Sequence, residues 1–152
     1  MLNRPRRSVL YMPGANKRAL EKAQTLPADA LILDLEDSVA PAAKAAARDQ
    51  VCAATRERVY AQREVVVRIN ALDTPWGADD LSAVCAAAPD AILIPKISCS
   101  ADVANVAARM KVFSAQNIAL WLMIESPRAV LEIGAIAQMR TQIPTLAAFV
   151  IG

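Results

Sequence analysis

Short apolar runs recur at a fixed interval along the chain, and each is followed by a stretch with helical spacing. The runs are "SVLYMPG" (8–14), "ALILDLED" (30–37), "EVVVRIN" (64–70), "AILIPK" (91–96), "IALWLMIES" (118–126) and "TLAAFVIG" (145–152). From Arg68 onward, Arg68, Lys96, Glu125 and Gly152 close successive runs about every 28 residues. The intervening segments, 16–24, 41–59, 77–88, 100–112 and 127–139, predict helices, with Pro41 at the start of the second and Ser100 as N-cap of the fourth. Strands alternating with helices require crossover connections, hence a parallel sheet in an α/β fold. Two architectures satisfy the pattern: an open doubly wound sheet, or a (β/α)₈ barrel, which at this spacing takes roughly 225–250 residues. The 152 residues supply six strands and five helices of one domain, 1–152.

Alternation along a strand assigns its side chains to faces. Ile32, Asp34 and Glu36 share one face; so do Val66, Arg68 and Asn70; Ile92, Ile94 and Lys96; and Trp121, Met123 and Glu125. Each run is apolar and then places a charge at its C-terminal end, the edge where parallel α/β folds build their sites. A single charged strand end marks only where a core meets water. Four in succession predict a mixed-charge pocket of Asp34, Glu36, Asp37, Arg68, Lys96 and Glu125.

Several chemistries are excluded. The chain has no histidine, which removes Ser–His–Asp and Cys–His catalysis and His-ligated metals. A metal here needs oxygen ligands, which favours Mg²⁺ or a close relative. Four glycines, none in a G-x-G-x-x-G array, argue against a dinucleotide-binding turn. A net charge of +2 gives no electrostatic case for nucleic acid, and the one basic cluster, "NRPRR", reads as a solvated lead-in. No apolar run reaches the ~18 residues of a membrane span, and no signal-peptide core follows the N-terminus, so a cytoplasmic location is expected. Cys52, Cys85 and Cys99 are odd in number and unpaired in spacing, as expected of reduced thiols. "YMPGANK" places Lys17 and Arg18 at a helix start where a phosphate could bind, although a plain turn is the better account of it. Trp76 is either a lid residue or an anchor against the rim. Ser8 and Ser126 have no base partner.

The set "RRSVLYMPGANKRALEKA", "DALILDLEDSVAP", "VVVRIN", "AILIPKI" and "LMIESPRAV", in this order, resembles the citrate lyase β-subunit family. That family includes malyl-CoA lyases and lies close to the HpcH/HpaI aldolases. The resemblance runs from about Arg6 to Gly152. It implies a (β/α)₈ TIM barrel, here its first six strands and five helices. It also implies Mg²⁺-dependent cleavage or formation of a carbon–carbon bond between an acyl-CoA and a 2-oxo acid, with Mn²⁺ as a substitute ion. Citryl-CoA and malyl-CoA are the implied substrates. Related alternatives are a thioesterase, a 2-oxo-acid aldolase, or an inactive binding or assembly fragment.

By the same resemblance Glu125 and Arg68 are catalytic residues, Glu125 as a metal ligand and Arg68 as the clamp on the oxo-acid carboxylate. Asp34, Glu36 and Asp37, with Lys96, hold waters on the metal and orient Arg68. Lys17 is a candidate for the CoA phosphates, and Lys44 and Arg48 for the acidic cluster or the CoA. The chemistry suits the residue types: a 2-oxo acid can chelate Mg²⁺, and an arginine fork matches a carboxylate. Family members are nearly twice as long. The resemblance places their second metal carboxylate just beyond the position of Gly152, with two further strands and an acidic base after it. It also implies a homo-oligomer, a trimer or hexamer.

Overall fold

The computed structural model describes residues 5–152. Six parallel strands form one sheet in the order of the chain: β1 (Val9–Pro13), β2 (Ala30–Asp34), β3 (Glu64–Arg68), β4 (Ala91–Ile94), β5 (Ala119–Ile124) and β6 (Leu146–Ile151). Helices α1 (Lys17–Ala23), α2 (Lys44–Arg56), α3 (Gly77–Ala87) and α4 (Ser100–Val112) connect the first five strands. Strictly sequential parallel order is the order of a (β/α)₈ barrel and differs from a doubly wound sheet, whose order reverses at a switch point. β1 and β6 are the two ends of this order, as the strand count predicts.

The helices follow from local chemistry. Asn16 caps α1, its Oδ1 accepting the Ala19 N–H at 3.0 Å. Pro41 opens a single 3₁₀ turn ahead of α2, whose buried residues Lys44, Ala47, Val51, Cys52 and Thr55 trace one face. α2 stops at Arg56, short of the predicted 59, and the turns that follow place Arg58 and Ala61 at positive φ. The N-cap of α4 is Cys99, one residue before the predicted Ser100, and Asp102 accepts the Ser98 and Cys99 N–H groups at 2.8 and 3.0 Å. The single helix expected over 127–139 is broken at Glu132 into α5 (Pro127–Leu131) and α6 (Ile133–Gln138). The break precedes Ile133 and Gly134, both weaker helix formers than the alanines around them.

Two apolar layers result. Between sheet and helices lie Leu31, Leu33, Val67, Ile92, Ile94, Leu122 and Ile124, packed against Leu20, Val51, Leu81 and Val103. On the inner face of the sheet lie Ala30, Ile32, Val66, Ala91, Leu93, Trp121 and Met123. The predicted face is observed for β2, β3 and β5 and corrected for β4. Ile92 and Ile94 face the helices, and Leu93 faces inward. Pro95 ends β4 at Ile94, so counting by twos onward to Lys96 carries no information about its direction.

The basic lead-in is also corrected where it is described. Arg6 donates from Nε and Nη2 to both Glu64 carboxylate oxygens at 2.6 and 2.7 Å and lies over the Trp121 ring at 4.9 Å. Arg7 pairs with Asp29 at 2.8 Å and holds that carboxyl well below the usual range. Asn3 and Arg4 lie outside the described residues. No described helix is long and apolar enough to cross a membrane.

Candidate active site

The site begins with strand register. Asp34 is the partner of Arg68 across β2 and β3, and both are the last residues of their strands. They share the inner face, so the guanidinium meets the carboxylate edge-on: Nε to Oδ1 at 2.7 Å and Nη2 to Oδ2 at 2.8 Å. Asp34 also accepts the N–H groups of Glu36 and Ser38, at 2.8 and 3.1 Å. Burial works against its charge, but Arg68 and these donors outweigh it and hold the carboxyl below its ordinary value.

Gly14 permits this arrangement. Its N–H donates to the Asp34 carbonyl at 2.8 Å, and a Cβ there would stand 2.5 Å from the same oxygen. Lys44 fixes the following turn from below, donating to the Leu35 and Glu36 carbonyls at 2.8 and 2.7 Å. Its ammonium lies over the Trp76 ring at 5.4 Å, which makes Trp76 an anchor rather than a lid.

From this pair a chain of alternating charges runs across the strand ends. Arg68 Nη1 stands 3.0 Å from Glu36 Oε2, Glu36 Oε1 stands 3.8 Å from Lys96 Nζ, and Lys96 Nζ stands 3.2 Å from Glu125 Oε2. The Glu36 oxygen facing Arg68 is close but out of hydrogen-bond alignment, and it has no other partner. Burial pushes the Glu36 carboxyl up, with Arg68 pulling the other way. For Lys96, desolvation acts to lower the ammonium, but the bond to Glu125 leaves it raised. Asp37 is 67% exposed and reaches Arg68 only at 3.5 Å.

Lys96 arrives by a route invisible to strand parity. Its backbone is left-handed, φ 55°, and this aims its N–H at Glu125 Oε1 at 2.8 Å. Six of the predicted residues thus come together: Asp34, Glu36, Asp37, Arg68, Lys96 and Glu125. Lys17 does not join them. It is exposed in the first turn of α1 and forms no ion pair among the described residues. Arg48 pairs with Asp80 at 2.6 Å instead of the acidic cluster. Asn70 turns away to donate to Asp80 Oδ2 and the Leu35 carbonyl at 2.6 and 2.9 Å.

Two contacts escaped the sequence reading. The Tyr11 ring lies under the Arg68 guanidinium at 5.1 Å, and burial pushes its hydroxyl up. Arg68 Nη1 also meets the Met123 sulfur at 3.6 Å. Inner-face parity alone would have placed both: Tyr11 pairs with Ile32, and Met123 precedes Glu125 by two.

Whether these residues suit a divalent cation can be tested on their own geometry. The four carboxylates outnumber the two cations that pair with them directly, Arg68 and Lys96, while the buried Lys44 ammonium acts on Asp34, Glu36 and Asp37 from below. Asp34 is consumed by Arg68, but Glu36 keeps a buried oxygen without a hydrogen bond, and Glu36 and Glu125 already face one common cation, Lys96 Nζ. The donors are all oxygen, as a hard cation prefers. No group of three potential ligands occurs among the described residues, and Glu36 and Glu125 are the two carboxylates that face one position. Gly152 lies beside them: a Cβ there would stand 3.2 Å from Glu125 Cβ and 2.8 Å from Met123 Cε.

Residues 7–152 match the profile of the HpcH/HpaI aldolase/citrate lyase family. This chain belongs to that family. Within the HpcH/HpaI family it is 47% identical over 133 residues to a (3S)-malyl-CoA thioesterase of Cereibacter sphaeroides, covering 88% of this chain and 45% of the relative. It is 44% identical over 103 residues to citrate lyase subunit beta of Escherichia coli, covering 68% of this chain and 34% of that one. Among solved structures it is similar to protein CitE of Mycobacterium tuberculosis in complex with magnesium and acetoacetate. There the TM-score is 0.76 at 29% identity, over all of this chain and 56% of the other. The chain spans about half the length of the relatives it matches, 45% in the case of the thioesterase. The HpcH/HpaI family therefore accounts for the parallel (β/α) architecture and for relatives that are lyases and thioesterases.

Proposed function

We propose that this chain forms the first part of a TIM-barrel domain of a Mg²⁺-dependent lyase. The enzyme would cleave or form a 3-hydroxyacyl-CoA, such as malyl-CoA or citryl-CoA, from an acyl-CoA and a 2-oxo acid. The observation that carries this reading is the placement of Glu36 and Glu125 around one cation beside Arg68. In this reading Glu125 and Glu36 hold the ion, directly or through water. Arg68, already gripped along one edge by Asp34, offers its remaining N–H groups to the oxo-acid carboxylate. Tyr11 shields the far face of the guanidinium and keeps water from it. When bound, the divalent ion polarises the oxo group and offsets the charge that grows on its oxygen. Mn²⁺ would serve in place of Mg²⁺. Lys17 is retained as a contact for the CoA phosphates at the outer rim. The enzyme is expected to be a cytoplasmic homo-oligomer.

A second reading uses the same site for thioester hydrolysis. The relatives named (3S)-malyl-CoA thioesterase, 45–47% identical over 88% of this chain, favour it. The two readings break different bonds. A lyase acting on (3S)-malyl-CoA breaks the carbon–carbon bond and releases a 2-oxo acid with an acyl-CoA, whereas a thioesterase breaks the carbon–sulfur bond and releases free thiol. Product analysis with a thiol reagent and a carbonyl reagent separates them. Arg68→Lys keeps the charge but loses the fork. It should lower kcat/KM for the oxo acid by roughly 10- to 100-fold. An unchanged oxo-acid dependence would reject the clamp.

A further inference from the structure

We propose that Lys96 is a built-in counter-cation: its ammonium holds Glu36 and Glu125 together in the metal-free protein and gives way when a divalent ion enters. The inference rests on the metal-dependent reading above. Three observations carry it. The first is position. Lys96 Nζ lies between the two carboxylates, 3.2 Å from Glu125 Oε2 and 3.8 Å from Glu36 Oε1, where a shared ion would sit. The second is backbone conformation. Lys96 adopts φ 55°, a region that suits glycine or asparagine and strains a lysine. A glycine there would aim the same N–H at Glu125 without strain, so the N–H alone does not explain a lysine. The ammonium is the part that only lysine supplies.

The third is room to move. The Lys96 side chain is 52% exposed, and it borders a cavity of about 520 Å³ between the ends of β3 and β4 and helix α4. The ammonium can leave without disturbing the buried Asp34–Arg68 pair, whose members are 2% and 7% exposed. When it leaves, the backbone N–H still holds Glu125 Oε1, so the metal ligand keeps its orientation while Oε2 becomes free. Without the lysine, two carboxylates facing one space would repel each other in the empty site.

The two halves of Lys96 can be separated by substitution in the full-length protein. Lys96→Met keeps the length and the backbone N–H and removes the charge. Lys96→Gly removes the whole side chain and relieves the strain. Mn²⁺ binding is measured by titration calorimetry, with melting temperatures recorded with and without Mn²⁺. Both variants should bind Mn²⁺ roughly two- to fivefold more tightly than wild type, the range of one partly exposed ion pair. Each should also show a larger melting-temperature gain on Mn²⁺ addition. Equal or weaker Mn²⁺ binding in both variants overturns the inference. If Glu125→Gln leaves wild-type Mn²⁺ binding unchanged, or wild type and both variants fail to bind Mn²⁺, then the metal-dependent reading fails and this inference falls with it.

Discussion

At the N-terminal rim of the sheet Arg6 pairs with Glu64 and Arg7 with Asp29, while Arg63 donates to the Leu26 and Tyr60 carbonyls. At the C-terminal rim four carboxylates, Asp34, Glu36, Asp37 and Glu125, share two cations, Arg68 and Lys96. Both rims place acidic and basic side chains at strand ends. The second has more carboxylates than cations paired with them, and a carboxylate oxygen, Glu36 Oε2, without a hydrogen bond. A one-to-one pairing is complete and contributes to stability alone. Carboxylates in excess of their cations cost stability until something positive enters, which is the expected condition of a binding site rather than of a fastener.

The largest test of this contrast is Asp34→Ala. It strands Arg68 as a buried cation, and loss of one member of a buried pair costs about 3–5 kcal/mol. Urea unfolding should show that loss, and a double variant Asp34→Ala/Arg68→Met should recover much of it. A loss below about 1 kcal/mol would mean that Glu36 and Asp37 can replace Asp34, and the rim would be less differentiated than described.

The alkaline limb of stability probes the other rim. Tyr60, in the turn ahead of β3, is buried with its hydroxyl unpartnered, and burial pushes that hydroxyl up to about 12. The unfolded chain loses this proton near pH 10 and the folded chain only near 12, so the folded state is the more protonated between them. Stability should fall as pH rises through that window, by about 2–3 kcal/mol in all. Tyr60→Phe should remove that fall in a pH series of melting curves; an unchanged alkaline slope would show that another group is responsible.

Arg6→Ala should cost about 1.5–3 kcal/mol, since Glu64 is then left 7% exposed without its cation. It should leave Mn²⁺ affinity at the opposite rim untouched. A change in Mn²⁺ affinity would couple the rims and blur the comparison. The smallest effect is expected at Arg7, whose side chain is open to solvent: Arg7→Ala should leave the melting temperature within error of wild type.

The strand alternation, the inner faces of β2, β3 and β5, and the charged residues at their ends were all legible, because period and charge placement are local properties of the sequence. The direction of Lys96 was not. Pro95 ends the strand and a left-handed residue follows, so the count that orients Arg68 and Glu125 says nothing about Lys96. The break at Glu132 and the stop of α2 at Arg56 were missed because helical spacing continues through both. The Arg6–Trp121 stack was hidden because it joins residues far apart in sequence at a rim where no loop motif announces them.

The alignment of Asp34 with Arg68 has a consequence for folding as well as for chemistry. Sliding β3 by one residue against β2 would turn the arginine toward the helix layer, among leucines and valines, and leave the aspartate facing none of its cation. Strands of valine, leucine and isoleucine tolerate such slips, since one branched apolar residue packs much like the next. Here the penalty for a slip is a lone charge in a dry layer. The pair that fixes the guanidinium at the strand ends therefore also acts as a proofreading device for the assembly of the sheet, since only correct pairing of its second and third strands brings the two charges together.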